Sequence, residues 1–364
     1  MTRLRSMGVL LFCVAALSPL LAASARAALP EQPFAHDRVD ESCDRAITFL
    51  VNQQGKDGSI SENHQNETTM TALAVMAMAA VGHQPTDRTT EGQAMRKALA
   101  YVLRDDRQDA NGYFGNRDGS RMYGHGIITL MLAEMLGMGV DDEMDQRLQE
   151  RLQKAIELIL TAQRHRKQSP VYQGGWRYSP DSGDADISVS VWQLMALRSA
   201  KNAGLKSVPK EAIDEAVGFI RRCYKGDAGS RNGPKDTSAF AYQPGGQPVY
   251  STASAGLLSM QVAGQYEAPE VLRAADWLMN QQVSFGDQWF FYGTYYYAQG
   301  MYQRGDKYAQ KARQNVEQIL LEHQNKDGSW TGHSQEHHAG RVYATAMAVL
   351  SLSVKYHYLP IYQR

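Results

Sequence analysis

The chain has 364 residues, 38 basic against 38 acidic side chains and 43% hydrophobic content. That balance excludes a nucleic-acid footprint or a polybasic membrane surface, so affinity must come from a local site. The length fits one large domain or two ordinary ones, and internal repetition decides between them.

Arg3 and Arg5 open the chain, an apolar run follows from Met7 to Leu21, and Ala25-Arg26-Ala27 stands before Ala28. A basic start, a short apolar stretch and a small-x-small site read as a secretory signal peptide over 1–27, cut after Ala27. The run of about 15 residues falls short of the about 20 that a bilayer crossing needs. The processed protein is therefore expected to be periplasmic or secreted and to span no membrane. Cys13 leaves with the signal, and the repeat map below sets Cys43 and Cys223 on opposite sides of a ring, as two unpaired buried thiols.

From there a two-helix unit recurs at about 42 to 65 residues. Its first half is amphipathic, with the stripe Ile47, Leu50 and Val51 closed by Gln54 and the turn Asp57-Gly58-Ser59. Further copies begin at Ala98, Ala155, Ala216 and Ala274, with Gln163 and Gln282 in the glutamine position and Asp106 and Tyr224 replacing it elsewhere. The last copy carries Val316, Ile319 and Leu320, then Gln324 and Asp327-Gly328-Ser329-Trp330. The second half is small and apolar nearly all round, as in Thr71 to Val81 and Thr345 to Leu352, and must be buried on every side. Each second half opens on a pair two residues apart: Thr69 and Thr71, Tyr123 and His125, Ser188 and Ser190, Tyr250 and Thr252, Tyr292 and Thr294, Tyr343 and Thr345.

Amphipathic helices alternating with all-apolar ones imply two layers. An open stack would expose the inner layer at both ends unless polar caps covered it, and the first and last copies resemble the rest. A closed ring is the solution: an all-α toroid over 28–364, with six inner and six outer helices. Strands lack the alternating pattern that would support them.

Gln324 to Trp330 and Gly174-Gly175-Trp176 resemble the Gln-Trp and Gly-Gly-aromatic turns of the terpenoid cyclase and protein prenyltransferase superfamily. Gly174 to Leu197 and Trp289 to Tyr302 are similar to bacterial prenyltransferase and squalene-oxidase repeat proteins. The resemblance spans the whole processed chain and implies the same toroid. A shared fold does not assign a reaction.

In such a ring the inner helices run parallel, so the loops before them open at one mouth. Positive dipole ends and free N–H groups there are expected to favour anionic or carbonyl groups. The ligand-binding candidates at that level are Trp176, Tyr178, Tyr123, His125, Arg121, Tyr250, Trp289, Tyr292, Arg341 and Tyr343; Tyr242 belongs to the same aromatic belt. Such a belt suits a large apolar ligand or a cation held over ring faces, or it plugs the barrel. Asp184 and Asp186 are the catalytic candidates. The resemblance implies a carboxyl that protonates an alkene, although Ile187 stands where that motif has its last acid, and an N-capping pair is the alternative. The zinc site of the prenyltransferases does not carry over, because Asp186 stands where its cysteine would. His333, His337 and His338, with Glu336, are weak metal candidates with no recognised zinc spacing. Neither a metal nor another cofactor is expected. The pairs Asp105-Asp106 with Asp109 and Asp141-Asp142 with Asp145 read as early-helix acids.

Three functions follow as expectations. The first is an extracytoplasmic toroid that binds an isoprenoid or other apolar small molecule; if it is an enzyme, the resemblance implies proton-initiated cyclisation or isomerisation, or prenyl transfer. The second is a non-catalytic module docking a cell-envelope protein, with the long loop Gly226 to Val249 as the surface. The third is a saccharide-processing barrel, whose mark would be a facing carboxyl pair.

Overall fold

The computed structural model describes residues 36–62, 64–226 and 238–363. The expected signal peptide and residues 227–237 of the long loop lie outside them. In chain order the helices are α1 (Arg38–Asn52) and α2 (Glu67–Ala80); α3 (Thr90–Val102), the single turn α4 (Gly115–Asp118) and α5 (Arg121–Met135); α6 (Asp142–Arg164) and α7 (Ile187–Asn202). Then come α8 (Lys210–Cys223), the short strands β1 (Tyr224–Lys225) and β2 (Ala239–Phe240), and α9 (Tyr250–Val262). The last are α10 (Pro269–Met279) and α11 (Phe290–Arg304), then α12 (Asp306–Glu322) and α13 (Gly340–Leu352). The two strands pair antiparallel, with Tyr224 opposite Phe240.

The layers follow from burial. In α1 only one stripe is buried, Val39, Ser42, Cys43, Ala46, Ile47, Phe49 and Leu50, while α2 buries every residue after Glu67. The all-apolar helices α2, α5, α7, α9, α11 and α13 pack in sequence, and α13 returns to pack on α2, closing the inner ring. Outside it, α3 lies on α2, α6 on α5, α8 on α7, α10 on α9, α12 on α11 and α1 on α13. The expected α/α toroid of six helix pairs is therefore the fold. Cys43 and Cys223 are free and buried.

The repeated glutamine is a staple. Gln54 Nε2 donates to the carbonyls of Gly58 (3.1 Å) and Ala94 (2.9 Å), joining its own turn to the next outer helix. Gln163 does the same to Gly174 (3.0 Å) and Ala212 (2.8 Å). Gln324 binds the carbonyls of Gly328 (2.9 Å) and Ser42 (2.8 Å), so the last repeat is fastened to the first. In the second repeat the staple is Gln108, to Gly112 and Arg151, and not Asp106. The glutamine-to-glycine spacing of four is the same as at Gln54 and Gln324, so the offset arises before Gln108, in the longer stretch after α3. Gly328 takes φ +88°, and a Cβ there would stand 2.3 Å from the Arg45 carbonyl oxygen. Only glycine meets both demands.

The end of the ring opposite the mouth is filled. Lys355 pairs with Asp37 (2.8 Å) and Asp40 (2.7 Å). From there residues 353–363 cross beneath the barrel to α5 and α7. Glu134 on α5 is buried and accepts the Ser199 hydroxyl and the Ile361 N–H (3.1 Å). Tyr362 hydrogen-bonds Tyr295, whose ring stands 5.6 Å from Trp192 with the planes stacked at 9°.

Candidate functional site

The inner-helix N-termini are gathered at the mouth, but the expected free N–H groups are mostly used. Asp118 accepts the N–H groups of Thr68 (2.8 Å) and Thr69 (3.2 Å) at α2. Asp186 accepts Val189 N–H (3.0 Å) at α7, and Glu336 accepts Phe291 (3.0 Å) and Tyr292 (2.9 Å) at α11. At α13, Glu62 accepts Arg341 N–H (2.9 Å). Carboxylates already neutralise four of the six helix ends, so the mouth offers no general anion site.

What remains is a cavity of about 580 Å³ walled by Tyr123, Tyr178, Tyr242, Trp289 and Tyr292, with Ser120, Ser188, Ser251, Thr252, Gln288 and Val249 between the rings. This lies within the range of small-molecule sites, about 300–1,000 Å³. Helical geometry explains which side chains reach it. Two positions turn about 200° around an α-helix, so the two members of each repeated pair face opposite ways. Tyr123, Ser188 and Tyr292 face the cavity. The second members of the first two pairs grip the loop behind, where His125 Nδ1 accepts Phe114 N–H (3.3 Å) and Ser190 Oγ accepts Trp176 N–H (2.9 Å); Thr345 Oγ1, of the Tyr343 pair, likewise accepts Trp330 N–H (3.1 Å).

One wall is held by charge. Arg177 Nη1 lies 3.2 Å from Asp186 Oδ2, and Nε lies 3.6 Å from Asp184 Oδ2. The guanidinium carbon sits over the rings of Tyr178 (5.0 Å) and Tyr242 (5.4 Å), whose hydroxyls hydrogen-bond at 2.8 Å. Asp186 is fully buried, and burial pushes its carboxyl above the ordinary range against the pull of Ser188, Val189 N–H and Arg177. Burial, the Asp186 charge and the Tyr178 bond together push the Tyr242 phenol up. Asp186 therefore caps α7 and anchors this wall from behind. Asp184 lies at the edge, beside Gln243 Nε2 (3.4 Å).

Of the ten ligand-binding candidates, Tyr123, Tyr178, Trp289 and Tyr292 lie on the wall. The others are placed elsewhere. Trp176 is buried between layers, its Nε1 donating to the Ile159 carbonyl (2.8 Å). His125 is buried too, with Nε2 against the Ala155 carbonyl (3.1 Å), and burial pushes its pKa down to about 4. Arg121 is exposed at φ +58°. Arg341 is bound to Glu62 and to Asp327 (2.7 Å) and lies over Phe49. Tyr250 packs on Tyr297 at 5.4 Å, and the Tyr343 hydroxyl donates to Glu336 (3.2 Å).

The histidine loop does not converge. His333 packs edge-on against Phe285 at 4.8 Å, His337 and His338 meet each other, and Glu336 is spent on α11. Among the described residues no three His, Cys, Asp or Glu side chains are placed to hold a metal ion. Asp141 caps α6 through Met144 N–H (2.8 Å), and Asp105 and Asp106 pair with arginines.

Ser120, Val249, Ser251 and Gln288 line the cavity without having been singled out from the sequence. Ser251 and Gln288 each sit one position from a residue that was, Tyr250 and Trp289. Trp289 adopts φ +60°, a left-handed conformation rare for a bulky residue, which turns its half-exposed ring to the rim.

Among solved structures, an inactive variant of the α-1,6-mannanase GH76A of Salegentibacter sp. HEL1_6 in complex with α-1,6-mannotriose shares the fold, with TM-score 0.61 and 10% identity over 88% of this chain and 99% of that one. A variant of the type II terpene cyclase MstE from Scytonema in complex with merosterolic acid A follows at TM-score 0.55 and 14% identity, over 87% and 96%. Identities this low show the fold alone. No curated protein matches the chain. The model of the prenyltransferase alpha-alpha toroid domain matches residues 4–167, 171–293 and 291–359, and with the closed ring of helix pairs this places the chain in the prenyltransferase alpha-alpha toroid family.

Proposed function

We propose that the protein is an extracytoplasmic toroid that receives an isoprenoid or comparable apolar molecule in the mouth cavity and holds it there. The observation that carries this reading is the wall itself: five aromatic rings around about 580 Å³, with no charged side chain among the described residues lining it. Such a wall gains free energy from burying hydrocarbon and has little to offer an ion. The signal-like N-terminus supports export. Acid catalysis by Asp186 is not part of the reading, because its carboxyl stands behind the wall, committed to Arg177, Ser188 and the α7 N-terminus.

A saccharide is the second reading, favoured by Ser120, Ser188, Ser251, Thr252 and Gln288 beside the Trp289 ring. Glycoside hydrolysis, however, works with two carboxyl groups about 5 to 9.5 Å apart across the bond, and the described lining provides none. Uptake measurements separate the two. The protein is expected to take up isoprenoid hydrocarbon chains from cyclodextrin, Tyr123→Ala and Trp289→Ala each to weaken uptake about tenfold, and manno- or gluco-oligosaccharides not to bind. Saccharide binding without isoprenoid uptake would replace this reading with the second.

A further inference from the structure

Beneath the cavity the centre of the barrel holds a knot of rings. Tyr292 on the wall lies 4.7 Å from Tyr296, Tyr296 lies 5.6 Å from Trp192, and Tyr123 lies 6.3 Å from Tyr292 and 6.4 Å from Trp192. Among the described residues, three polar atoms in this knot have no hydrogen-bond partner: Tyr292 Oη, Tyr296 Oη and Trp192 Nε1. All three residues are at least 95% buried, with 5%, 0% and 1% exposure. Buried donors are nearly always paired, and leaving one unmade costs the desolvation of that group. Gln261, also unpartnered, sits at the other end of α9 from the cavity and is a separate matter.

Each of the three atoms has a proton to donate, although the two phenol oxygens can also accept. An indole N–H only donates. Burial pushes both phenols well above their ordinary pKa, so each keeps its proton to donate. No arginine or lysine stands among the described lining residues, and Arg177 is engaged by Asp186 behind Tyr178 and Tyr242. An anionic head at this depth would lack a counter-charge, which buried ions require.

Resting on the reading of the cavity as an apolar-ligand site, we propose that its occupant is a neutral oxygenated lipid, whose carbonyl- or ether-type oxygen enters first and accepts hydrogen bonds from Tyr292, Tyr296 and Trp192. The hydrocarbon part then lies along Tyr123, Tyr178, Tyr242 and Trp289 toward the rim. Neither a bare hydrocarbon nor a diphosphate ester meets this demand: the first leaves the donors unpaired, and the second brings an unpaired charge.

The test is a comparison of three probes of equal chain length delivered from cyclodextrin: an all-trans isoprenoid hydrocarbon, the corresponding methyl ketone and the corresponding diphosphate. The ketone is expected to bind about tenfold more tightly than the hydrocarbon, since one or two net hydrogen bonds amount to roughly that factor. The variants Tyr292→Phe and Tyr296→Phe should each narrow the ketone's advantage over the hydrocarbon several-fold. Both keep the ring, and both delete a hydroxyl without a hydrogen-bond partner among the described residues, so folding should be retained. Equal binding of ketone and hydrocarbon, an advantage that survives both variants, or preference for the diphosphate would overturn the proposal while leaving the apolar site standing. Failure of all three probes to bind would remove the underlying reading as well.

Discussion

Tyr123 and His125, two positions apart on α5, face opposite ways: Tyr123 walls the cavity, and His125 bridges Phe114 N–H and the Ala155 carbonyl in the buried seam with α6. The corresponding seam positions elsewhere are Thr71, Ser190 and Thr345. Threonine can therefore replace the histidine in kind. His125→Thr is expected to fold and to leave ligand uptake unchanged, whereas Tyr123→Ala reduces uptake. Uptake assays on the two purified variants check this, and a loss confined to His125→Thr would contradict the assignment of faces.

The same histidine makes stability depend on pH. Its folded pKa of about 4 lies below the ordinary 6.5, so its contribution is fully present above pH 6.5 and is lost as pH falls through 4. Glu134 acts in the opposite sense. Burial pushes its folded pKa from 4.5 up to about 7, so its contribution is full below pH 4.5 and is lost as pH rises through 7. Each span corresponds to ~3 kcal/mol at most. Glu134→Gln, whose amide can still accept Ile361 N–H and donate to Ser199, should gain stability over the wild type as pH rises from 4.5 to 7. His125→Thr should gain as pH falls from 6.5 to 4. Thermal melts across pH 4 to 8 read both differences, and parallel curves would refute the two titrations.

Asp186 and Asp184 separate on stability. Asp186→Asn leaves Arg177 without its buried partner and should cost about 3 kcal/mol, while Asp184→Asn, at the edge, should stay within about 0.5 kcal/mol. Denaturant melts decide this. An Asp186→Asn variant of unchanged stability would mean that the wall is held by something other than this pair.

Ring closure has its own test. Gly328→Ala brings a Cβ within 2.3 Å of the Arg45 carbonyl oxygen at φ +88°, whereas Gly204→Ala, at φ +94°, meets nothing within 4 Å. The second pays only the backbone cost, about 1 kcal/mol, and the first should cost several times that. Gln324→Ala, which removes the bonds to Ser42 and Gly328, should cost about 1–3 kcal/mol. Equal melting of the two glycine variants would contradict the close approach at the seam.

Trp289 trades strain for position. Relief of its left-handed backbone in Trp289→Gly should leave stability equal or higher by about 1 kcal/mol. Uptake should nevertheless fall, because the rim loses its ring. A variant both less stable and fully competent for uptake would show that the conformation serves the fold.

The ring was legible because its signals are local and repeated: the stripe of α1, the all-round apolar α2, the glutamine turns and the six pairs. The orientation of each pair was also implicit in helical rotation, yet residue type masked it, since His125 and Trp176 look like site chemistry and are seam residues. What the sequence could not disclose depends on distant chain. Asp118, Glu336 and Glu62 neutralise helix ends of other repeats, across up to 279 residues. The segment 353–363 fills the far end through Ile361 and Tyr362, which carry no motif. Gln108 was displaced from the expected register by the longer stretch between the end of α3 and its turn.

The central claim, that the mouth cavity holds a neutral apolar molecule, is tested most directly by native mass spectrometry of the protein isolated from its native cells, followed by solvent extraction. The account predicts a bound mass that leaves with organic solvent, carries oxygen and no phosphate, and is reduced in the Trp289→Gly and Tyr123→Ala variants. A ligand-free mass from freshly isolated protein, with no uptake on adding lipid extract, would contradict it and turn attention to a protein partner at the toroid face.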